Sequence, residues 1–437
     1  MTTSYARRVG LFSATMMVIG GIIGSGIFLN PAIVAQRVGT AGLTMAVWVI
    51  GGGVAVLGAF VFGELGARRP RAGGGYVYLR DAFGPLPAFL YAWALLLIIA
   101  TGAIAAVAVT FANYALALTG HGDALRLPIA VGAIVLLSAI NYVGVRPGAI
   151  TQNVFTILKL VPLALLAAAG VFAAAPDTAA APAAPAGAFG LVAALGTALV
   201  PVLFSYGGWQ QTNYVAEELI DAERNLPRAL LLGVAGVVIA YLLANYAYLR
   251  ALGPAGLAAS TAPAADAMRA LVGPEGEMIV TAGIAISTFG FLNLVILVSP
   301  RVYQAMAADG LFFPALARLH PRYRTPTAAI LLQGAWAVLL TLTGTYGELL
   351  DYVVFGDWIF FALAAATVYV FRRRDGAPAP GIFRVPGYPV TPALFILAAV
   401  YVLIGSVMSN PANALRGTLL LAAGVPVFWF WRRRRSG

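Results

Sequence analysis

The chain has 437 residues, of which 61% are hydrophobic and 10% charged, and its mean hydropathy is +0.89. That composition excludes a soluble globular domain, and the absence of cysteine excludes disulfides, thiolate metal sites and any partner held through sulfur. The net charge of +11 reads as membrane topology, so no nucleic-acid partner is expected.

A bilayer crossing needs about 20 apolar residues, and the windows between charged or Pro/Gly-rich breaks predict about twelve helical spans. In chain order they cover residues 9–37, 41–66, 84–118, 127–145, 149–174, 189–219, 227–252, 276–306, 325–344, 347–371, 390–409 and 412–431. The expected fold class is an all-α polytopic membrane protein. Its first apolar stretch has spanning length and no cleavable-signal pattern. An even number of spans puts both ends on one side. That side collects Arg7, Arg8, Arg68, Arg69, Arg71, Arg80, Arg146, Arg224, Arg228, Arg301, Arg318, Arg322, Arg324, Arg372 to Arg374, Arg384 and Arg432 to Arg435. The opposite side keeps Arg37, Arg126, Arg250, Arg269 and Arg416. The positive-inside rule makes the first side cytoplasmic, with both termini on it. The Ala/Pro-rich stretch from Ala173 to Gly190 reads as an external linker.

The first span is interrupted at its centre by Gly20, Gly21, Gly24, Ser25 and Gly26. Glycine costs about 1 kcal/mol against alanine in a helix, and backbone freed at that depth must find partners in protein or a wet cavity. Two readings stand: a binding-site break, or a small-residue packing face. The sixth span carries a matching interruption at Ser205, Gly207 and Gly208. Because the number of spans between the two starts is odd, the interrupted helices run in opposite directions, the inverted-repeat arrangement of secondary transporters.

At such a break the N–H groups of Ser25, Gly26 and Ile27 open the resumed helix, and its positive dipole end suits a carboxylate. Carbonyls near Ile22, Ile23, Phe204 and Ser205 suit an ammonium. A site offering both suits an α-amino acid, with Gly24, Tyr206 and Gly207 completing the candidate contacts. No cofactor and no metal site are expected.

Ionisable groups inside a span are functional candidates by default. Lys159, the single lysine, lies about ten residues into the fifth span; it reads either as a functional cation or proton site or as half of a packing ion pair. Asp357 in the tenth span reads either as a gating or proton group or as a hydrogen-bonded structural carboxylate. Glu64 beside Arg68 and Arg69 reads as an interfacial pair, and His121 and His320 fall in loops.

Several stretches in order resemble the amino acid-polyamine-organocation superfamily, in its L-type amino acid transporter-like branch. They are Gly-Gly-Ile-Ile-Gly-Ser-Gly-Ile-Phe at 20–28, Phe-Gly-Glu-Leu at 62–65, Gly-Gly-Gly-Tyr-Val-Tyr-Leu at 73–79 and Phe-Gly-Pro-Leu-Pro-Ala-Phe at 83–89. Phe-Thr-Ile-Leu-Lys-Leu at 155–160, Phe-Ser-Tyr-Gly-Gly-Trp at 204–209, Glu-Glu at 217–218 with Arg-Asn-Leu-Pro-Arg-Ala at 224–229, and Ala-Ala-Asp-Gly-Leu-Phe-Phe-Pro at 307–314 continue it. The resemblance implies a LeuT-type fold: residues 1–188 hold the first inverted repeat, 189–374 the second, and 375–437 two peripheral helices with a basic tail. It implies sodium-independent amino acid transport, with Ser25 and Gly26 on the substrate carboxylate and Phe204 as an aromatic lid. Lys159 would stand in for a sodium ion, bridging the first span to the eighth, where Ser299 matches a family hydroxyl.

Some positions depart from the family. Eukaryotic members of the branch bond to a glycoprotein subunit through a cysteine that residues 119–127 lack here. Leu294 and Pro300 replace a small residue and a hydroxyl, and Asp357 stands where several members are polar and neutral. The expected function is therefore exchange of neutral L-amino acids by alternating access in the plasma membrane, with proton-coupled symport as the alternative. An intramembrane enzyme lacks a base or nucleophile in the spans, and a channel would want a continuous polar lining.

Overall fold

The computed structural model describes residues 4–174, 187–343, 346–409 and 411–436. The first span is α1a (Leu11–Ile22) and α1b (Gly26–Val38), bent by 42° at the break. It is followed by α2 (Ala41–Arg68), α3 (Pro85–Thr119), α4 (Arg126–Tyr142) and α5 (Val145–Phe172). The sixth span is α6a (Gly187–Ser205) and the 3₁₀ segment α6b (Trp209–Glu218). Then come α7 (Ala222–Ala259), α8 (Pro274–Ala308), α9 (Thr327–Thr343), α10 (Tyr346–Asp375), α11 (Val390–Ser409) and α12 (Pro411–Ser436). Among the described residues, nine helices are long and apolar enough to cross a bilayer and the bent pair makes a tenth. The shorter α9 and the long α10 complete the expected twelve, and the protein is an all-helical polytopic membrane protein.

Span boundaries differ from the hydropathy windows where turn chemistry overrides them. The fifth span starts at Val145, four residues before the expected 149, because Gly144 turns the chain at a φ of 152° and Pro147 is tolerated in a first helical turn. The seventh starts at Ala222, ahead of Pro227, after Asp221 at a φ of 50°. Two short helices, Gly75–Phe83 and Pro263–Val272, are not expected from the pattern. Most of the linker between 173 and 190 lies outside the described residues.

The core is built by long helices crossing the broken ones. α7 packs along α2 and α1a, α8 lies against α3 and α5, and α1b packs on α6a. Two prolines inside these helices free a carbonyl one turn back, and a side chain from elsewhere takes it. Pro31 leaves the Ile27 carbonyl without its helical donor, and the Tyr248 hydroxyl donates to it at 3.2 Å. Pro201 does the same to Thr197, whose carbonyl accepts from the Arg37 guanidinium.

At the arginine-rich end the bundle is sealed. Arg301 of α8 pairs with Glu218 at the end of α6b at 2.7 Å, both fully buried. The N-terminal segment lies over this pair: the N–H groups of Arg8 and Val9 donate to the Glu218 carbonyl at 2.9 and 3.0 Å, and Ile220 N–H donates to the Val9 carbonyl at 2.9 Å. Burial pushes the Tyr5 phenol well above its ordinary value, so it stays protonated and donates to Gln304 at 3.2 Å. Glu64 is buried with Arg68 at 3.0 Å and Arg372 at 2.5 Å, while Arg69 turns to Asp375 at 2.7 Å. The expected Glu64–Arg69 contact is therefore replaced by one to Arg372.

Removing one member of a buried ion pair strands the other in low dielectric. Arg301→Met should lower the unfolding free energy in detergent by about 3–5 kcal/mol, and the double variant Glu218→Leu with Arg301→Met should recover most of that loss. Equal losses in the single and double variants would show that the pair does not hold this end.

Candidate functional site

The two breaks meet at the centre of the bundle. α6a stops at Ser205, and Gly208, at a φ of 104°, turns the chain into α6b. A Cβ on Gly208 would lie 2.1 Å from the Gly21 carbonyl oxygen, so the backbones of the two broken spans touch there and only glycine fits. Gly26 makes the second approach: its Cβ would lie 2.7 Å from Ser205 Oγ and 3.1 Å from Ser205 Cα. The small-residue run is thus both a packing face and a break.

Beside the contact lies a cavity of about 100 Å³. One wall is backbone: Gly21, Ile22, Gly24, Ser25 and Gly26 from the first span, and Leu203, Phe204, Ser205, Gly207 and Gly208 from the sixth. Ser25 precedes α1b without a side-chain cap, and the first N–H groups of a helix have no intrahelical partner. Ser25 and Gly26, at this helix start, lie on the cavity wall, and a helix start is the kind of end that suits an anion. Phe204 lines the cavity and is 38% exposed.

The freed carbonyls are not vacant. The Tyr241 hydroxyl of α7 bridges Ile22 O at 3.1 Å and Ser205 O at 3.2 Å, tying both breaks to one side chain. Phe204 O accepts from Gly207 N–H at 3.1 Å. Ile23 O accepts from Lys159 Nζ at 2.7 Å and from Ser287 Oγ at 3.2 Å. A carbonyl oxygen has two lone pairs, so Ile22 and Phe204, which line the cavity, each keep a second acceptor position. Ser205 Oγ is engaged as well, accepting from Asn30 Nδ2 and donating to Pro201 O, both at 2.8 Å.

Several candidate contacts lie away from the cavity wall. Ile23 and Ile27 are buried in the core. The Tyr206 ring packs on Trp48 and Tyr241, with centroids 5.7 and 5.1 Å away. The turn at 206–208 sends that ring toward α2 and α7, while Gly207 stays on the cavity. Lys159 is fully buried behind the first break, its Nζ donating to Gly20 O at 3.1 Å and Ile23 O at 2.7 Å. Its hydroxyl neighbour on α8 is Ser287, not Ser299. Ser299 lies about three turns further along α8 and faces the cavity instead. Gly290 makes the room, since a Cβ there would come within 3.2 Å of Lys159 Cε.

The sequence pattern does not reveal the remaining walls. α3 supplies Leu95, Ile99, Ala100, Ala103 and Val107, α8 supplies Phe291 and Val295, and α10 supplies Asp357, Trp358 and Phe361. Residues Leu95–Ile99 form a π-turn, a feature common at functional sites. Its loosened carbonyls are taken by Thr101 Oγ1 at 2.7 Å, Trp336 Nε1 at 3.0 Å and the Tyr303 hydroxyl at 3.3 Å. Gln210, Gln211 and Tyr214 close the cavity from α6b, and Tyr214 shares a 2.5 Å hydrogen bond with Tyr91. Polar residues within a span, such as Gln210 and Gln211, are a signal that the sequence does carry.

A membrane bundle in which two broken helices meet beside a small, largely apolar cavity is the architecture of a secondary transporter. The amino acid permease family model matches residues 9–429, and the chain belongs to that family, with its LeuT-type fold. It is 33% identical to the large neutral amino acids transporter small subunit 2 of Homo sapiens, over 98% of this chain and 81% of the relative. Identity is also 33% to the Asc-type amino acid transporter 1 of Mus musculus, over 98% and 82%. To the b(0,+)-type amino acid transporter 1 of Mus musculus it is 31%, over 98% and 88%. The protein is an amino acid transporter and not an enzyme, and lacking cysteine it forms no disulfide with a partner subunit.

Gly26 and Gly24 separate packing from access. Gly26→Ala drives a methyl into Ser205 and should reduce uptake at least about tenfold, as overpacking of about 1–3 kcal/mol implies. Gly24→Ala, whose Cβ meets only Phe291 Cδ2 at 3.8 Å, should keep uptake within about threefold. Normal uptake by Gly26→Ala would mean that the two breaks need not touch.

Proposed function

We propose that the chain exchanges neutral L-amino acids across the plasma membrane without sodium, by alternating access, with both termini cytoplasmic. The observation that carries this reading is the cavity where an anion-binding helix start and spare carbonyl acceptors lie side by side, matching the two charged ends of an α-amino acid. In this reading Ser25 and Gly26 hold the carboxylate, with Ile27 positioned behind them, and Phe204 is the aromatic lid. Residues 1–188 and 189–374 act as the two inverted repeats that rock about the cavity, while 375–437 stay peripheral. The similar proteins, a large neutral amino acids transporter subunit and an Asc-type amino acid transporter, support the substrate class.

Lys159 supports sodium independence. Its ammonium sits among backbone carbonyls of a broken helix, the ligand type that a sodium ion would use. Proton-coupled symport is the second reading, and Asp357, a carboxylate on the cavity wall, is the observation that favours it.

Counterflow in proteoliposomes tests the reading. Radiolabelled alanine and leucine should enter only when unlabelled substrate is inside, with equal rates in sodium and choline media and with glutamate excluded. Uptake stimulated by sodium, or driven from empty vesicles by a pH gradient, would overturn exchange.

Lys159→Ala leaves the Gly20 and Ile23 carbonyls without their cation, a loss of about 1.5–3 kcal/mol per charged hydrogen bond. With Lys159 as a fixed cation, wild-type exchange should be nearly flat between about pH 5 and 8, below the ordinary lysine value near 10.4. The variant should fail throughout that range. A variant that keeps exchange but loses its response to a pH gradient would make Lys159 a proton carrier instead.

A further inference from the structure

The interior cations of this bundle are already committed. Lys159 donates to the carbonyls of Gly20 and Ile23, and Arg301 is paired with Glu218. Asp357 is different. It lies within α10 at membrane depth and lines the cavity, and among the described residues it has neither a hydrogen bond nor an ion pair. It is also the one Asp, Glu, Lys, Arg or His described on that wall. A carboxylate held there needs a counter-charge or a proton, and no described side chain supplies the counter-charge.

Its surroundings favour a donor-rich cation. The hydroxyls of Tyr214 and Tyr91 lie within electrostatic range of Asp357. Tyr214, Ser299 and Gln211 line the same cavity, and Gln211 Oε1 is a buried acceptor with no donor. A primary ammonium brings three donors and can use several such oxygens at once, whereas a single proton satisfies only one of them. The rest of the wall, including Leu95, Ile99, Val295 and Phe361, is apolar and suits a methylene chain. The α-carboxylate has its own place at the start of α1b, on another helix, so the two sites divide one molecule between them.

We infer that the cavity takes α-amino acids whose side chain ends in an ammonium group, alongside neutral ones, and that Asp357 is the residue that recognises that second ammonium. This inference rests on the amino acid exchange proposed above and narrows its substrate range.

The test is counterflow of L-lysine, L-ornithine and L-norleucine in proteoliposomes of the full-length protein. Norleucine retains the lysine carbon chain without its terminal amine. Wild type should move all three. Asp357→Asn should lower the lysine-to-norleucine uptake ratio about tenfold or more, the scale of a lost charge-assisted contact, and Asp357→Glu should keep it within about threefold. Norleucine uptake without lysine or ornithine in the wild type would overturn the inference and leave amino acid exchange standing. An equal fall for lysine and norleucine in Asp357→Asn would also overturn it, since Asp357 would then serve the α-amine or the transport cycle in general. So would a pH-driven uptake of norleucine that Asp357→Asn abolishes, because the counter-charge would be a proton. Movement of none of the three would overturn the proposed exchange itself, and this inference with it.

Discussion

A polar backbone group freed within a bilayer has no water to turn to, and that constraint organises this protein. Breaking α1 and α6 releases carbonyls at the centre of the membrane, and the surrounding helices answer them one by one. Lys159 takes Gly20 and Ile23, Tyr241 takes Ile22 and Ser205, and Ser287 adds a second donor to Ile23. The uncapped start of α1b lies against the cavity, beside these satisfied carbonyls.

The same constraint explains the choice of residues around the breaks. Gly208 against Gly21, and Gly26 against Ser205, allow contacts that a Cβ would block. Pro31 and Pro201 weaken the helices near the site, and Tyr248 and Arg37 compensate from other parts of the chain. Tyr241 and Tyr248 both come from α7 ahead of its kink at Gly253, so one helix braces the first span on either side of its break. Closure at the arginine-rich end depends on the opposite strategy, a buried ion pair wrapped by the N-terminal segment.

Much of this architecture is legible in the order of the residues. Long apolar windows reveal the spans, because hydrocarbon imposes one length scale on every crossing. Glycines in mid-span mark both breaks, and a lone lysine in an apolar helix marks Lys159, because each is costly where it stands. What stays hidden depends on direction. Tyr206 sits inside the second break by sequence, yet its ring points to Trp48 because of the turn at Gly208. The family resemblance pairs Ser299 with Lys159, but helical phase and rise put Ser287 on the Ile23 carbonyl that Lys159 binds. The cavity walls from α3 and α10 are mostly ordinary apolar residues, and nothing in their pattern separates a wall from a lipid-facing surface.

By itself the sequence determined the class of molecule, the number of spans and the location of the interruptions, since these follow from hydropathy, charge asymmetry and local backbone cost. The tertiary structure alone decided which freed groups are already satisfied by side chains from elsewhere in the chain. That distinction is set by contacts between residues far apart in the chain, such as Tyr241 with Ile22 and Lys159 with Ile23. It also decided that Asp357 faces a cavity with no counter-charge among the described residues. A carboxylate in a span is visible in one dimension, but its lack of a partner becomes visible only when every neighbouring helix is in place.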